Sequence, residues 1–195
     1  VLQQLHAQHA FTHLLGHEET GTGWSYQRDI DVGIWCKSAH VEWREYTQTG
    51  VVRRLRSRTG WAKRWATRMD APLCMPVGFS EPQAKNPAAG EQAAWQVLRS
   101  FLAGRGANYR RAMSSPLSAE QGCSRLSAHL AFGTISMRSV HQATEAAIAE
   151  YQAMGERGLA FALRGFAGRL RWHCHFMQKL EDEPAIEWRN FARSS

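Results

Sequence analysis

Apolar positions along this chain follow two rhythms, one before Gly50 and another after Gly90. Residues 1–9 are helical in pattern, with Leu2 and Leu5 as the apolar positions. Residues 11–16 (F-T-H-L-L-G) read as a short strand closed by the turn-prone E-E-T-G-T-G. Residues 24–38 place Tyr26, Ile30, Ile34 and Trp35 near i, i+4 and i+8, which predicts a helix with Arg28 and Asp29 outward. Residues 41–46 alternate and predict a second strand. Strand, helix, strand of this length is a βαβ unit, normally part of a parallel sheet. Two strands do not make a stable sheet by themselves, so the unit needs neighbours.

Residues 50–69 predict another helix-prone piece, with Val51, Val52, Leu55, Trp61 and Trp65 on its apolar side. Residues 70–90 follow, carrying Pro72, Pro76, Pro82 and Pro87 with Gly78 and Gly90. Prolines at that density exclude regular structure and predict a linker between domains. Beyond it every pattern is helical: residues 91–103, 126–132, 136–154 and 159–180. In the last of these, Leu159, Leu163, Phe166, Leu170, His173, Met177 and Leu180 recur by fours and threes as the expected core face. Gly165 and Gly168 lower its helix propensity by about 1 kcal/mol each against Ala, which makes sense if something approaches the backbone there.

The 195 residues suffice for one domain or pieces of two. No apolar run reaches the roughly 20 residues of a membrane helix. The start, V-L-Q-Q-L-H-A-Q-H-A, lacks the basic and apolar regions of a signal peptide. It opens without Met and in mid-helix pattern, as a piece of a longer protein would. Cys36, Cys74, Cys123 and Cys174 lie far apart without C-x-x-C pairs, which predicts free thiols, a reducing compartment and a cytoplasmic location. Net charge of +7 changes the picture more. Arg53, Arg54, Arg56, Arg58, Lys63, Arg64 and Arg68 form a stripe with no acid among them, suited to nucleic acid or simply to a solvated helix face.

Two clusters read as non-catalytic. Glu18 and Glu19 are neighbours whose carboxylates point apart on an extended chain, so they read as loop and cap residues. His6, His9, His13 and His17 recur every three or four residues, but the strand interrupts their alignment and nothing completes a metal set. No metal site and no catalytic residue is expected from them.

Residues 122–138 read G-C-S-R-L-S-A-H-L-A-F-G-T-I-S-M-R. Small polar residues around Arg125 run into an apolar pattern, as at a helix start, where free N–H groups and the dipole suit a phosphate. Arg125 adds a positive fork. The wording resembles the T-S-x-L-S-P-[YH]-L-x-x-G-x-[IL]-S-x-R segment of the photolyase/cryptochrome family, with Cys123 in place of Thr and Ala128 in place of Pro. Residues 166–176, F-A-G-R-L-R-W-H-C-H-F, look like that family's W-x-x-[EQ]-L-x-W-R-E-F helix. The resemblance to the flavin domain covers roughly residues 93–195.

What the resemblance implies is an α+β chain in three parts. Residues 1–69 would be the last βαβ part of a Rossmann-like α/β antenna domain, 70–90 a linker, and 91–195 the first half of an all-α FAD-binding domain. It implies FAD held by Tyr109, Cys123, Ser124, Arg125, Leu126, Ser127, Phe166, Arg169 and His173, and a DNA lesion met by Arg169, Trp172 and Phe176. By position Phe166 replaces a Trp beside the flavin, Trp172 matches the residue that stacks on the flipped lesion, and His173 replaces an Arg near the FAD phosphates. Arg169 stands where the family has the Glu or Gln that hydrogen-bonds the pyrimidine dimer. It has no acceptor and stays charged, so it does not repeat that contact. His173 offers a phosphate a weaker, pH-dependent charge. His173, Cys174 and His175 splay by about 100° per residue on a helix and do not chelate together.

The function implied is blue-light-driven electron transfer from FAD for repair of pyrimidine dimers, with damaged DNA as partner, no membrane and no obligate protein partner. A folate- or deazaflavin-type antenna chromophore would belong to a longer parent, and weak or absent FAD binding is expected of this stretch alone. A cryptochrome-type light receptor, a flavin-free basic nucleic-acid module and a helical interaction domain remain as alternatives.

Overall fold

The computed structural model describes residues 1–73 and 89–190, so most of the expected 70–90 linker lies outside the described residues. Helix α1 (Leu2–His9) leads into strand β1 (His13–His17), helix α2 (Gly23–Ser38) and strand β2 (Glu42–Tyr46). The two strands pair in parallel, from His13 opposite Glu42 to His17 opposite Tyr46. The alternation thus gives the expected strand–helix–strand unit. Thr22 starts α2, its hydroxyl accepting from the Ser25 N–H at 3.4 Å. Gly33 lets the indole of Trp43 lie against α2, since a Cβ there would meet that ring at 3.1 Å.

Residues 51–60 are not helical, which corrects the reading of 50–69 as one helix-prone piece. The backbone of Val52 is bound instead by Gln178: its N–H donates to Oε1 at 2.7 Å and its carbonyl accepts from Nε2 at 3.0 Å. Those are the groups a helix would need. Arg54 adopts φ 54° and Gly60 φ 73°, and helix α3 (Trp61–Asp70) starts only after Gly60. Trp61, Trp65 and Met69, spaced by four, form its buried face.

After the undescribed residues come α4 (Gly90–Leu102), a 3-10 turn (Arg105–Asn108), and the short helices α5 (Tyr109–Ala112), α6 (Pro116–Gly122) and α7 (Ser127–Ala131). Two long helices follow, α8 (Met137–Ala153) and α9 (Arg157–Asp182). Ser136 caps α8, its hydroxyl accepting from the Ser139 N–H at 3.0 Å. One core joins Val51, the buried face of α3, Leu98 and Phe101 of α4, Val140 and Ile148 of α8, and Leu163, Phe166 and Leu170 of α9.

The seam of α9 is turned from the one the periodicity predicts. Leu163, Phe166, Leu170, Cys174 and Gln178 are buried, whereas His173 is exposed. A fully buried Gln takes the place expected of Met177 because its amide is fully used, accepting also from Trp61 Nε1 at 3.0 Å and donating to Asp182 at 2.7 Å.

Candidate functional site

The motif of residues 122–138 is held chiefly by Arg105. Its guanidinium donates to the carbonyls of Cys123, Gln121 (3.2 Å), Ser124 (3.1 Å) and Val97 (3.3 Å). Desolvation, with Arg125 nearby, pulls the Arg105 pKa down. Gly122 is packed so closely on Ala112 that an added Cβ would collide with that methyl. Arg125 takes the left-handed conformation, φ 61°, and donates to the Glu120 carbonyl at 3.1 Å. Helix α7 opens at Ser127 with Leu126 at its cap and no side chain bonded there. The Ser cap expected at the start of this helix is found one helix later, at Ser136.

The residues named for the cofactor do not gather in one place. Tyr109, Leu126 and Phe166 are buried in the core. The rings of Tyr109, Phe101 and Phe166 meet edge to face, with centroids 4.8 to 5.6 Å apart. Burial pushes the Tyr109 phenol pKa up. Ser127 and His173 line one cleft of about 490 Å³, together with Leu130, Ile135 and Met177 and the residues following the two strands, among them Glu18, Glu19, Gln48 and Thr49. Arg125 lines a different cleft with Arg105 and His129. Cys123 and Ser124, half-buried, line neither cleft and are held through their carbonyls by Arg105.

His173 lines its cleft and is exposed to solvent, yet enough protein surrounds it for desolvation to lower its pKa. His17, across the same cleft, shares a hydrogen bond with Gln48 and is lowered for the same reason. The Glu18 carboxylate accepts from Arg68 at 2.7 Å, and Glu19 pairs with Arg28 at 2.9 Å and accepts from the Thr20 N–H at 3.1 Å. Both acids lie in a loop as expected, but they form ion pairs, and the cap of α2 is Thr22. The clustering of loops 17–20 and 48–49 on Ser127 and His173 has no signal in the periodicity. A parallel strand pair does place the loops at its carboxyl ends together, and that is where α/β units form clefts.

The residues named for a lesion stand together on α9. Trp172 is 56% exposed and Phe176 55%, with ring centroids 5.9 Å apart. The Arg169 guanidinium lies 5.3 Å from the Trp172 ring centroid. Arg169 therefore faces this exposed platform, apart from the cleft of Ser127 and His173. Among the described residues no group of three His, Cys, Asp or Glu is placed to hold a metal. No described helix is long and apolar enough to cross a membrane.

The arginine stripe is corrected by the fold. Arg53 pairs with Asp29 at 2.9 Å and Glu45 at 3.0 Å, Arg58 with Asp182 at 2.9 Å, and Arg68 with Glu18. Arg54 donates to the Tyr26 hydroxyl at 2.6 Å. The stripe lacks acids in sequence but meets them in space, so much of it ties the chain to itself.

For the phosphate end of FAD, which the resemblance implies, the described residues offer donors in two separate clefts, Ser127 and His173 in one and Arg125 in the other. Hydroxyls at Ser124 and Ser127, a guanidinium at Arg125 and an imidazole at His173 are the donors a diphosphate requires. The ring end is different, because Tyr109 and Phe166 turn their edges to each other inside the core.

No protein-family model matches the chain. It is 36% identical over 120 residues to the deoxyribodipyrimidine photo-lyase of Halobacterium salinarum (strain ATCC 700922 / JCM 11081 / NRC-1), a match covering 62% of this chain and 24% of that protein. The chain thus spans about a quarter of the length of the curated relative it matches. Both quoted motifs point to the same kind of protein. Over those 120 residues the chain is similar to a photolyase, the kind of protein the two motifs resemble.

Proposed function

We infer that this chain is a section of a photolyase-type flavoprotein, whose helical part holds the phosphate end of FAD and whose helix α9 meets damaged DNA. One observation carries the reading. Ser127 of the first motif and His173 of the second, far apart in sequence, line one cleft, and the residue beside His173 is the exposed Trp172. In this reading residues 1–69 belong to an antenna domain of α/β type, 70–90 join it to the flavin domain, and the protein works in the cytoplasm. A folate- or deazaflavin-type chromophore would belong to the parent.

FAD, when bound, supplies the light-excited electron that opens a pyrimidine dimer and is afterwards recovered. The chain's own residues bind and orient. Ser124, Arg125 and Ser127 offer donors to the diphosphate, and His173 adds a charge only when protonated. Trp172 gives a flipped base a face on which to stack, worth about 1–3 kcal/mol. Arg169 supplies a fixed positive charge for a phosphate or a base edge.

The test is an absorption spectrum of the longest obtainable parent of this chain. Flavin bands that vanish on Ser124→Ala with Arg125→Ala support the reading. A protein that stays colourless after FAD is added overturns it. A second reading, a light sensor that binds FAD and repairs nothing, is favoured by Arg169, since a guanidinium cannot accept the hydrogen bonds a carboxylate would. Repair of an irradiated oligonucleotide by the flavin-loaded parent would exclude that reading.

A further inference from the structure

Arg138 closes the first motif and stands in the first turn of α8, where the free N–H groups and the helix dipole disfavour a cation. Its partners account for the placement. The guanidinium donates to the Thr47 carbonyl at 3.0 Å, the Ala71 carbonyl at 2.6 Å and the Pro72 carbonyl at 2.7 Å. The Arg138 backbone N–H, which has no acceptor within its own helix, donates to the Gln48 carbonyl at 3.2 Å. One residue of α8 thus holds both the chain leaving β2 and the chain leaving α3. Its Nε is buried and has no partner among the described residues. That unpaired N–H costs stability, so the gain from this side chain lies in where it puts its partners.

Those partners belong to the cleft of Ser127 and His173. Its lining from the strand ends includes His17, Gln48 and Thr49, and Arg138 itself does not line it. Gln48 links the strand-end residues, because its carbonyl is held by Arg138 and its side-chain amide shares a hydrogen bond with His17. Ile135 and Met137, the cleft residues just before Arg138, are buried and apolar and offer the strand ends no side-chain hydrogen bond. One turn further along α8, Gln142 makes a similar grip on α3 alone, donating to the Met69 and Ala71 carbonyls at 2.8 Å each. Only Arg138 adds the loop after β2 to that grip.

We propose that Arg138 is the positioning residue of this cleft: acting through Thr47 and Gln48, it sets how closely His17 and Thr49 approach Ser127 and His173, and so what the cleft admits. The proposal rests on the cofactor reading only for the ligand to be admitted, since the grip exists without one. A cleft held closed keeps protein around His17 and His173, the desolvation that lowers both pKa values. Release of the strand ends should let both rise toward the ordinary His value of about 6.5. Glu18 and Glu19, the acids of the same cleft, are held by Arg68 and Arg28 and keep those partners. His175 is lowered too, but it packs on Trp61 outside this cleft and serves as the reference.

The experiment follows the imidazole C–H resonances of the flavin-free full chain by NMR against pH, with His17, His173 and His175 assigned from single changes to Gln. Arg138→Lys keeps the charge and loses the fork, whereas Arg138→Met loses both. Gln142→Ala loosens α3 and leaves Thr47 and Gln48 held. The titration midpoints of His17 and His173 are expected to rise in Arg138→Lys and further in Arg138→Met, with His175 unmoved and with faster amide exchange at position 138. Gln142→Ala is expected to lower Tm and move neither midpoint. Unchanged His17 and His173 midpoints in the Arg138 variants overturn the proposal. So does a rise in Arg138→Met alone, which would trace to the lost charge, or an equal rise in Gln142→Ala, which would trace to general loosening. Should Arg138→Met not fold, Arg138→Lys decides by itself. The midpoints are read without flavin, so a parent that stays colourless would sink the flavoprotein reading and leave this one standing.

Discussion

Gln178 offers the sharpest test of how the strap of residues 51–61 is fixed to α9. Its side chain is wholly buried and makes four hydrogen bonds: it accepts from the Val52 N–H and the Trp61 indole, and donates to the Val52 carbonyl and Asp182. Gln178→Ala strips the partners of Val52 N–H, Val52 C=O and Trp61 Nε1. An unsatisfied buried polar group costs about 1–3 kcal/mol, and Val52 is near enough to solvent for water to offset part of this. The loss of packing volume adds to it. The expected destabilisation is about 3–5 kcal/mol, at the upper end for single substitutions.

The assay is urea denaturation, with Cm compared at unchanged slope, alongside hydrogen exchange of the Val52 amide. Val52 exchange should rise by orders of magnitude if its acceptor is lost. Gln178→Glu sharpens the test because it keeps both acceptors, loses both donations and places a carboxylate beside Asp182. Burial and that charge would raise its pKa above the ordinary Glu value of about 4.3. Its deficit is therefore full at neutral pH and shrinks as the pH falls toward that value. A Gln178→Ala effect below about 1 kcal/mol, or unchanged Val52 exchange, would refute the role given to this amide.

Other outcomes follow from single contacts. Gly50→Ala would drive a Cβ into the indole of Trp65 and should cost about 1–3 kcal/mol or more; an unchanged Cm would contradict the packing. Ser136→Ala removes the cap of α8 and should cost about 1 kcal/mol, whereas Ser127→Ala should cost less because nothing there is capped, both read by urea denaturation. Desolvation holds His17, His173 and His175 below the ordinary His value, with Arg58, Lys179 and Arg171 acting further on His175. The unfolded chain then binds more protons just below about pH 6.5, so this stability is full above that pH and is lost as pH falls toward the folded values. Tm should drop between pH 7.5 and 5.5, less so in a variant with all three changed to Gln, and parallel profiles would count against it. Burial pushes the thiols of Cys36 and Cys174 up, so among the described cysteines an alkylating reagent should label half-buried Cys123 first, as mass mapping would reveal.

What could be read in advance depended on whether a residue answers to its neighbours in sequence or in space. The βαβ unit and the long helices were legible because their signals are local, a period of two or of 3.6 carried by adjacent turns. Residues 51–60 were misread because the competing partner for the Val52 backbone sits on α9, beyond any window a periodicity samples. The same distance hid the acids that neutralise Arg53, Arg58 and Arg68, and it turned the seam of α9 from His173 to Cys174 and Gln178. The candidate site shows both behaviours. Trp172, Arg169 and Phe176 share an exposed face because spacing along one helix decides it. Tyr109 and Phe166 were legible as aromatic positions, but which of them would face a cavity was not. Each ring satisfies the other edge to face, so the choice between core and cofactor wall is set by whatever else packs there. The arginine stripe is the plainest case. A sequence window sees basic residues either way, and only the fold tells which cations already have a partner.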